Sequence, residues 1–227
     1  MPPSIRACVE YARQRLRSSI YWLPGGYQAE RYWRDRHRRY GFDMRGVGDC
    51  GRTHAENLEE YDRAARIFLE LCRAHRIQLP HTSMLEIGCG TGYYAEVFRQ
   101  AGGVQYVGVD ITDELLPDLR KRFPAFTFHK LDITGEPVPG IFDLIAMIDV
   151  TQHITQPDRF SSAMQHVRLS LGPRGVFVVT SWLSDSARHS FYEVSRSMDA
   201  YQREFAGFRF SEPVRYRDKF MFAITRS

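Results

Sequence analysis

What this chain has little of narrows it first. Only Lys121, Lys130 and Lys219 are lysines among 31 basic residues, so arginine carries almost all the positive charge. The four cysteines, Cys8, Cys50, Cys72 and Cys89, lie far apart and form no Cys-x-x-Cys pair. That excludes the usual zinc and dithiol patterns, and reduced thiols of a cytoplasmic protein are expected. No set of ligand residues falls at metal spacing, so no metal is expected. No apolar run approaches the ~20 residues of a membrane helix, so no membrane span is expected. A signal peptide is not expected either, because Arg6, Glu10 and Arg13 break the N-terminal segment. No internal repeat or low-complexity tract is present.

With 227 residues and 43% hydrophobic content, the chain suits one α/β domain with an N-terminal extension. Charge is unevenly placed. Residues 1–40 hold nine arginines against three acids, while the rest is close to neutral. Such a basic arm can meet an anionic substrate, a nucleic acid or a membrane surface, or it can be a solvated helix face.

Apolar residues at Ile5, Val9, Ala12, Leu16 and Ile20 have helical spacing, and Pro24-Gly-Gly26 stops that helix. A second helix dense in arginine and aromatics covers 32–41, followed by a glycine-rich loop over 41–52. Thr53-His-Ala-Glu56 reads as a capping box that opens a helix to about Arg76. Residues 1–52 are therefore expected to be a helical extension or lid, and 53–227 the main domain. Within the latter, strands are expected at 83–87, 104–109, 126–131, 142–148 and 175–181. Helices fall near 92–101, 113–122, 157–171 and 186–204. This alternation implies a parallel sheet covered on both faces. Phe208–Tyr216 and Phe220–Thr225, joined by Arg217-Asp-Lys219, are expected to form a closing antiparallel hairpin.

The first strand runs into Glu86-Ile-Gly-Cys-Gly-Thr-Gly92 and then into a helix. Gly88, Gly90 and Gly92 sit at alternate positions. A strand–glycine turn–helix aims free N–H groups into a crevice where a ligand can lie on the backbone. The dinucleotide fingerprint spaces its glycines differently, G-x-G-x-x-G, and Tyr93 stands where its last glycine belongs. Acids end the second and third strands, at Asp110 and Asp132, and Leu171-Gly-Pro-Arg-Gly175 turns into the fifth. The E-x-G-x-G-x-G pattern, taken with those acids and that turn, resembles the class I S-adenosylmethionine (AdoMet) methyltransferases over residues 84–180.

The resemblance implies a Rossmann-like α/β fold with a mostly parallel seven-stranded sheet, AdoMet as cofactor, and methyl transfer as the activity. It puts Glu86 under the amino acid end of AdoMet beside the loop Gly88, Cys89, Gly90 and Gly92. Asp110, ending the second strand, would accept from the ribose hydroxyls, with Ile111 on the adenine face. Asp132 would accept from the adenine amino group, with Ile133 donating to the ring through its backbone. Asp149 and His153, just past the fourth strand, would face the methyl group, and His153 is the candidate general base. Trp33 and Arg36 in the extension look like a segment that closes over AdoMet, the tryptophan by cation–π contact and Arg36 or Arg38 on the cofactor carboxylate, with a lid helix packed by Trp33 without ligand contact as the equal alternative. Of the remaining histidines, His37, His54 and His189 read as surface residues.

The fourth segment reads Asp149-Val-Thr-Gln-His153, without the Pro-Pro-aromatic run of nucleic-acid amino-methylases, and no Pro-Cys nucleophile exists anywhere. A nucleic-acid acceptor is therefore not expected, and a small molecule accepting at oxygen or nitrogen is. A protein terminus or RNA as acceptor, or a non-catalytic binding protein of this fold, stay open as alternatives. Oligomeric state leaves no mark in the sequence.

Overall fold

The computed structural model describes residues 20–23, 26–185 and 187–227. The helix expected over 5–20 lies almost wholly outside that range. In chain order the elements begin with β1 (Trp22–Leu23), β2 (Gly26–Tyr27), α1 (Ala29–Tyr40) and α2 (His54–Ala74). Next come β3 (Ser83–Ile87), α3 (Tyr93–Gln100), β4 (Gln105–Asp110), α4 (Leu116–Arg122), β5 (Thr127–Lys130) and β6 (Phe142–Met147). The remainder is α5 (Pro157–Ser170), β7 (Leu171–Ser181), β8 (Arg188–Ser190), β9 (Glu193–Val194), α6 (Met198–Glu204), β10 (Phe208–Phe210), β11 (Val214–Tyr216) and β12 (Lys219–Arg226).

The main sheet is ordered β10-β12-β7-β6-β3-β4-β5, with β11 also on β12. β3 to β7 pair in parallel, and β12 enters antiparallel beside β7. The chain therefore turns from β3 outward to β5 and returns to β6 on the other side of β3. That reversal opens a crevice above the carboxyl ends of β3 and β6, where open α/β sheets bind their ligands.

Strand alternation divides the core into two layers. Met84, Leu144, Ala146 and Val178 face α2, α3 and α4, while Leu85, Ile145, Met147 and Val179 face α5 and α6. α2 begins as expected. Thr53 Oγ1 accepts from the Glu56 N–H at 3.2 Å, and Glu56 Oε2 accepts from the Thr53 N–H at 2.7 Å.

Three expectations change. The helix expected over 186–204 shrinks to α6, and its first half becomes the β8–β9 hairpin. Tertiary packing overrides the helical spacing there: Phe191 and Tyr192 leave the helix register to pack on Tyr21, Tyr27 and Tyr32 of the N-terminal segment. The strand expected over Phe208–Tyr216 splits into β10 and β11. Between the pairs Phe210↔Ile224 and Val214↔Met221 it carries one residue more than β12 does. Pro213 has no N–H for the ladder, so the extra residue is accommodated as a bulge. The turn expected at Leu171-Gly-Pro-Arg-Gly175 also lies inside a strand. The register jumps from Phe142↔Leu171 to Leu144↔Val176, so those residues bulge out of β7.

Candidate functional site

The crevice is a cavity of about 920 Å³, part of it open to solvent. Its floor is Ile87 at the end of β3, Gly88 and Gly90 from the glycine turn, and Asp110 and Ile111 at the end of β4. Leu131 to Thr134 form one end, and Ile148, Asp149, Val150 and His153 to Gln156 the other. The roof is the N-terminal segment, through Tyr27, Ala29, Trp33, His37 and Val47.

Gly88 and Gly90 both have positive φ, 78° and 45°, as a tight turn requires. A Cβ on Gly90 would stand 2.7 Å from Val47 Cγ1, so this glycine also lets the roof come down onto the turn. Asp110 is buried, and its own loop fixes its carboxylate. Oδ2 accepts from the Gly90 N–H at 3.0 Å, and Oδ1 accepts from the Thr112 N–H at 3.0 Å and hydroxyl at 3.2 Å. That leaves lone-pair capacity on Oδ2 for a ligand hydroxyl. Asp132 Oδ1 takes the Thr134 N–H at 2.9 Å and hydroxyl at 2.7 Å, and Oδ2 pairs with Arg159. Beside it, Ile111, Leu131 and Ile133 make an apolar slot.

His153 is buried. The Tyr192 carbonyl lies 3.0 Å from its Nδ1 and can only accept, so Nδ1 carries the proton and Nε2 keeps its lone pair. Its ring lies parallel to Tyr192 at 5.4 Å and meets Trp33 edge-on at 4.9 Å. Burial pushes its pKa down to about 3, so it is neutral at pH 7.

Several expected site residues sit elsewhere or are already engaged. Glu86 is on the α2/α3 side of β3, hydrogen-bonded to the Tyr106 hydroxyl, and is not part of the cavity wall. Alternation explains this, because Glu86 shares a strand face with Met84. Burial pushes its pKa to about 8 against the hydrogen bond from Tyr106, so its carboxyl is mostly neutral at pH 7. Cys89 and Gly92 are outside the wall as well; a Cβ on Gly92 would lie 2.5 Å from Leu119 Cδ2, so that glycine serves packing on α4. Arg36 points away from the cavity. Its guanidinium donates to the Arg45 carbonyl at 2.9 Å, to the Gly48 carbonyl, and to the Tyr32 hydroxyl at 3.1 Å, so it ties the roof together instead of holding a ligand carboxylate.

Asp149 lines the cavity but is not free to act as a base. It accepts from the Tyr216 hydroxyl at 2.8 Å, from Arg217 at 2.7 Å and from Lys219 at 2.6 Å. Burial opposes its ionisation, but the charges of Lys219 and Arg217 more than offset that and hold its pKa well below the ordinary carboxylate range. Its backbone is in the left-handed region, φ 58°, as is that of Arg217, φ 50°. Two strained residues thus hold each other through an ion pair that ties the β11–β12 turn to the end of β6.

His37 corrects the surface reading. It is 3% exposed, lies in the roof, and its Nδ1 is 2.8 Å from Thr112 Oγ1. His54 and His189 are exposed. Sequence reasoning also passed over Tyr27, Tyr61 and Arg159 in the wall. None carried a local signal, since each reaches the cavity only through tertiary packing.

No helix among the described residues is long and apolar enough to cross a membrane. A model of a methyltransferase-domain family matches residues 28–214. A dTDP-3-amino-3,4,6-trideoxy-α-D-glucopyranose N,N-dimethyltransferase from Streptomyces venezuelae is 28% identical over 102 residues, covering 44% of this chain and 43% of that protein. A malonyl-[acyl-carrier protein] O-methyltransferase from Anoxybacillus flavithermus is 30% identical over 108 residues, covering 45% and 42%. The chain thus aligns with less than half the length of these relatives. Among solved structures, the Synechocystis magnesium protoporphyrin IX methyltransferase with bound AdoMet superposes with a TM-score of 0.68 at 16% identity, covering 90% of this chain and 100% of that one. At that identity the likeness speaks for the fold, and the fold includes the crevice described above. With the match across residues 28–214 and the glycine turn, Asp110 and Asp132 arranged around one cavity, the chain belongs to the class I AdoMet-dependent methyltransferase family.

Proposed function

We propose that this enzyme moves a methyl group to an oxygen or nitrogen of a small-molecule acceptor that enters beside His153. One observation carries this reading: the cavity is roofed by Tyr27 to Val47, an enclosure suited to a cofactor and a small partner and not to a polymer. The walls suit AdoMet. Asp110 would take the ribose hydroxyls, Asp132 and the Ile111–Ile133 slot the adenine, and the glycine turn the amino acid end. When bound, AdoMet supplies a sulfonium-activated methyl with a neutral leaving group. The protein's own work is then alignment, exclusion of water, and acceptance of one proton. Nε2 of His153 is the acceptor for that proton, and the Tyr192 carbonyl holds the ring in the tautomer that leaves Nε2 free. Trp33 stands against His153, where its face can meet a sulfonium. The test is to supply methyl-labelled AdoMet with an extract of the source cells and then separate small molecules from macromolecules. Label is expected in the small-molecule fraction; label in RNA or protein would overturn the reading.

The roof, about residues 20–52, would act as a lid. It meets the rest of the chain on three sides. Exposed ion pairs join Glu30 to Lys130 and Arg38 to Glu114, and His37 meets Thr112. Its aromatic rings pack on Phe191, Tyr192 and His153, and the loop after α1 is tied to α2 through Asn57 and Tyr61. A ligand beneath it should tighten it further. Amide hydrogen exchange over 26–48 is expected to slow when S-adenosylhomocysteine binds. Equal exchange with and without ligand would return this segment to a fixed wall.

A further inference from the structure

Of the polar contacts between α1 and the β4–β5 side of the sheet, the pairs of Glu30 with Lys130 and of Arg34 and Arg38 with Glu114 are largely solvent-exposed, and such pairs contribute little. One contact differs. His37 and Thr112 are 75 positions apart, 3% and 1% exposed, and joined at 2.8 Å. Thr112 is at the same time the residue that orients Asp110, through its N–H at 3.0 Å and its hydroxyl at 3.2 Å. The hydroxyl has a single proton. Given to the ionised carboxylate, where the bond is charge-assisted, it leaves Oγ1 to accept from the Nδ1–H of His37. The buried chain then runs in one direction, from His37 through Thr112 to Asp110. Opening the roof would leave the hydroxyl without its donor and loosen the carboxylate; a ligand that engages Asp110 would favour the closed arrangement.

We propose that His37 is a positioning residue that couples closure of α1 to the acid receiving the cofactor ribose, through the buried chain His37–Thr112–Asp110. The proposal rests on the reading of Asp110 as the ribose acceptor. Its consequence is kinetic: the latch slows cofactor release, because the roof must part from Thr112 before the ligand can leave.

The test measures release of S-adenosylhomocysteine from the full chain by surface plasmon resonance. Thr112→Val removes the hydroxyl at constant shape. His37→Phe keeps a ring against Trp33, and His37→Asn keeps an N–H close to where Nδ1 stands. Thr112→Val and His37→Phe should each speed release about tenfold, the value of one buried hydrogen bond. Together they should match Thr112→Val alone, which already removes the bond that His37→Phe removes, and should not reach about a hundredfold. His37→Asn should stay within about twofold of the unmodified enzyme. Additive effects of the two changes, or unchanged release in Thr112→Val, would overturn the coupling. Should His37→Phe fail to fold, Thr112→Val and His37→Asn still decide it. Asp110→Ala is the separate arm. If it leaves S-adenosylhomocysteine affinity unchanged, the ribose reading itself falls. If it weakens binding while release from the other variants is normal, only the coupling falls.

Discussion

Asp149→Asn is expected to cost roughly 3–5 kcal/mol of stability, the usual consequence of removing one partner from a buried ion pair. The carboxylate is the only acid that Lys219 reaches among the described residues, and it is the shortest ion pair of Arg217. Without it the buried Lys219 has no acid within ion-pair distance among the described residues, and the half-buried Arg217 keeps only Glu60 at 4.0 Å. Asparagine is the informative replacement because it tolerates the left-handed backbone that Asp149 adopts, so the measured loss reports charge and not strain. Thermal unfolding should show a midpoint lowered on the order of 10 °C for a domain of this size. The linkage to pH has a definite sign. The folded pKa lies below the unfolded value, so the stabilisation is full above about pH 4 and is lost as pH falls through the folded value. The variant should therefore approach the unmodified protein in acid. A loss under ~1 kcal/mol at pH 7 would mean the triad of cations and carboxylate is a solvated contact, and Asp149 would again be available to a substrate.

That triad also shows where sequence reading stops. The glycine turn, the acid ending β4, the acid after β5 and the capping box of α2 were all legible, because each depends on spacing within a few residues. The parallel sheet with its antiparallel close was legible from alternation and from the short link at Arg217-Asp-Lys219. The engagement of Asp149 was not, since its partners lie 67 to 70 positions away. Glu86 was misplaced for a subtler reason. Its position in the motif suggested the ligand, while strand parity with Met84 turns it towards Tyr106. The helix expected over 186–204 failed because Phe191 and Tyr192 gain more from the aromatic cluster of the N-terminal segment than from helix continuity. His37 was lost among arginines in a stretch whose composition reads as a solvated face.

His153→Asn is expected to leave AdoMet and S-adenosylhomocysteine affinity nearly intact while kcat falls ~10²–10⁴-fold, the range for removing a general base. Asparagine keeps an N–H that can serve the Tyr192 carbonyl and drops Nε2, so the wall stands and only the proton acceptor is gone. Burial holds the His153 pKa near 3, which makes it a weak base by equilibrium measure. On the proposed reading the reaction would compensate through charge. His153 would start as a neutral imidazole beside the positive charge that bound AdoMet supplies. An acceptor bonding to the methyl carbon would take over that charge, its own proton would become strongly acidic, and Nε2 would receive that proton late. The number of charges in the cavity is unchanged throughout, so the desolvation that suppresses His153 protonation in the free enzyme is not imposed a second time. Two consequences separate this from a structural histidine. The acidic limb of kcat/KM in the unmodified enzyme should lie near pH 3 and not near 6.5, with the range from 5 to 8 flat unless the acceptor itself titrates. His153→Ala should lose more stability than His153→Asn, because it orphans the Tyr192 carbonyl, yet both should lose kcat alike. If His153→Asn retains full kcat, the proton leaves by another route and His153 serves only to seat Trp33 and Tyr192.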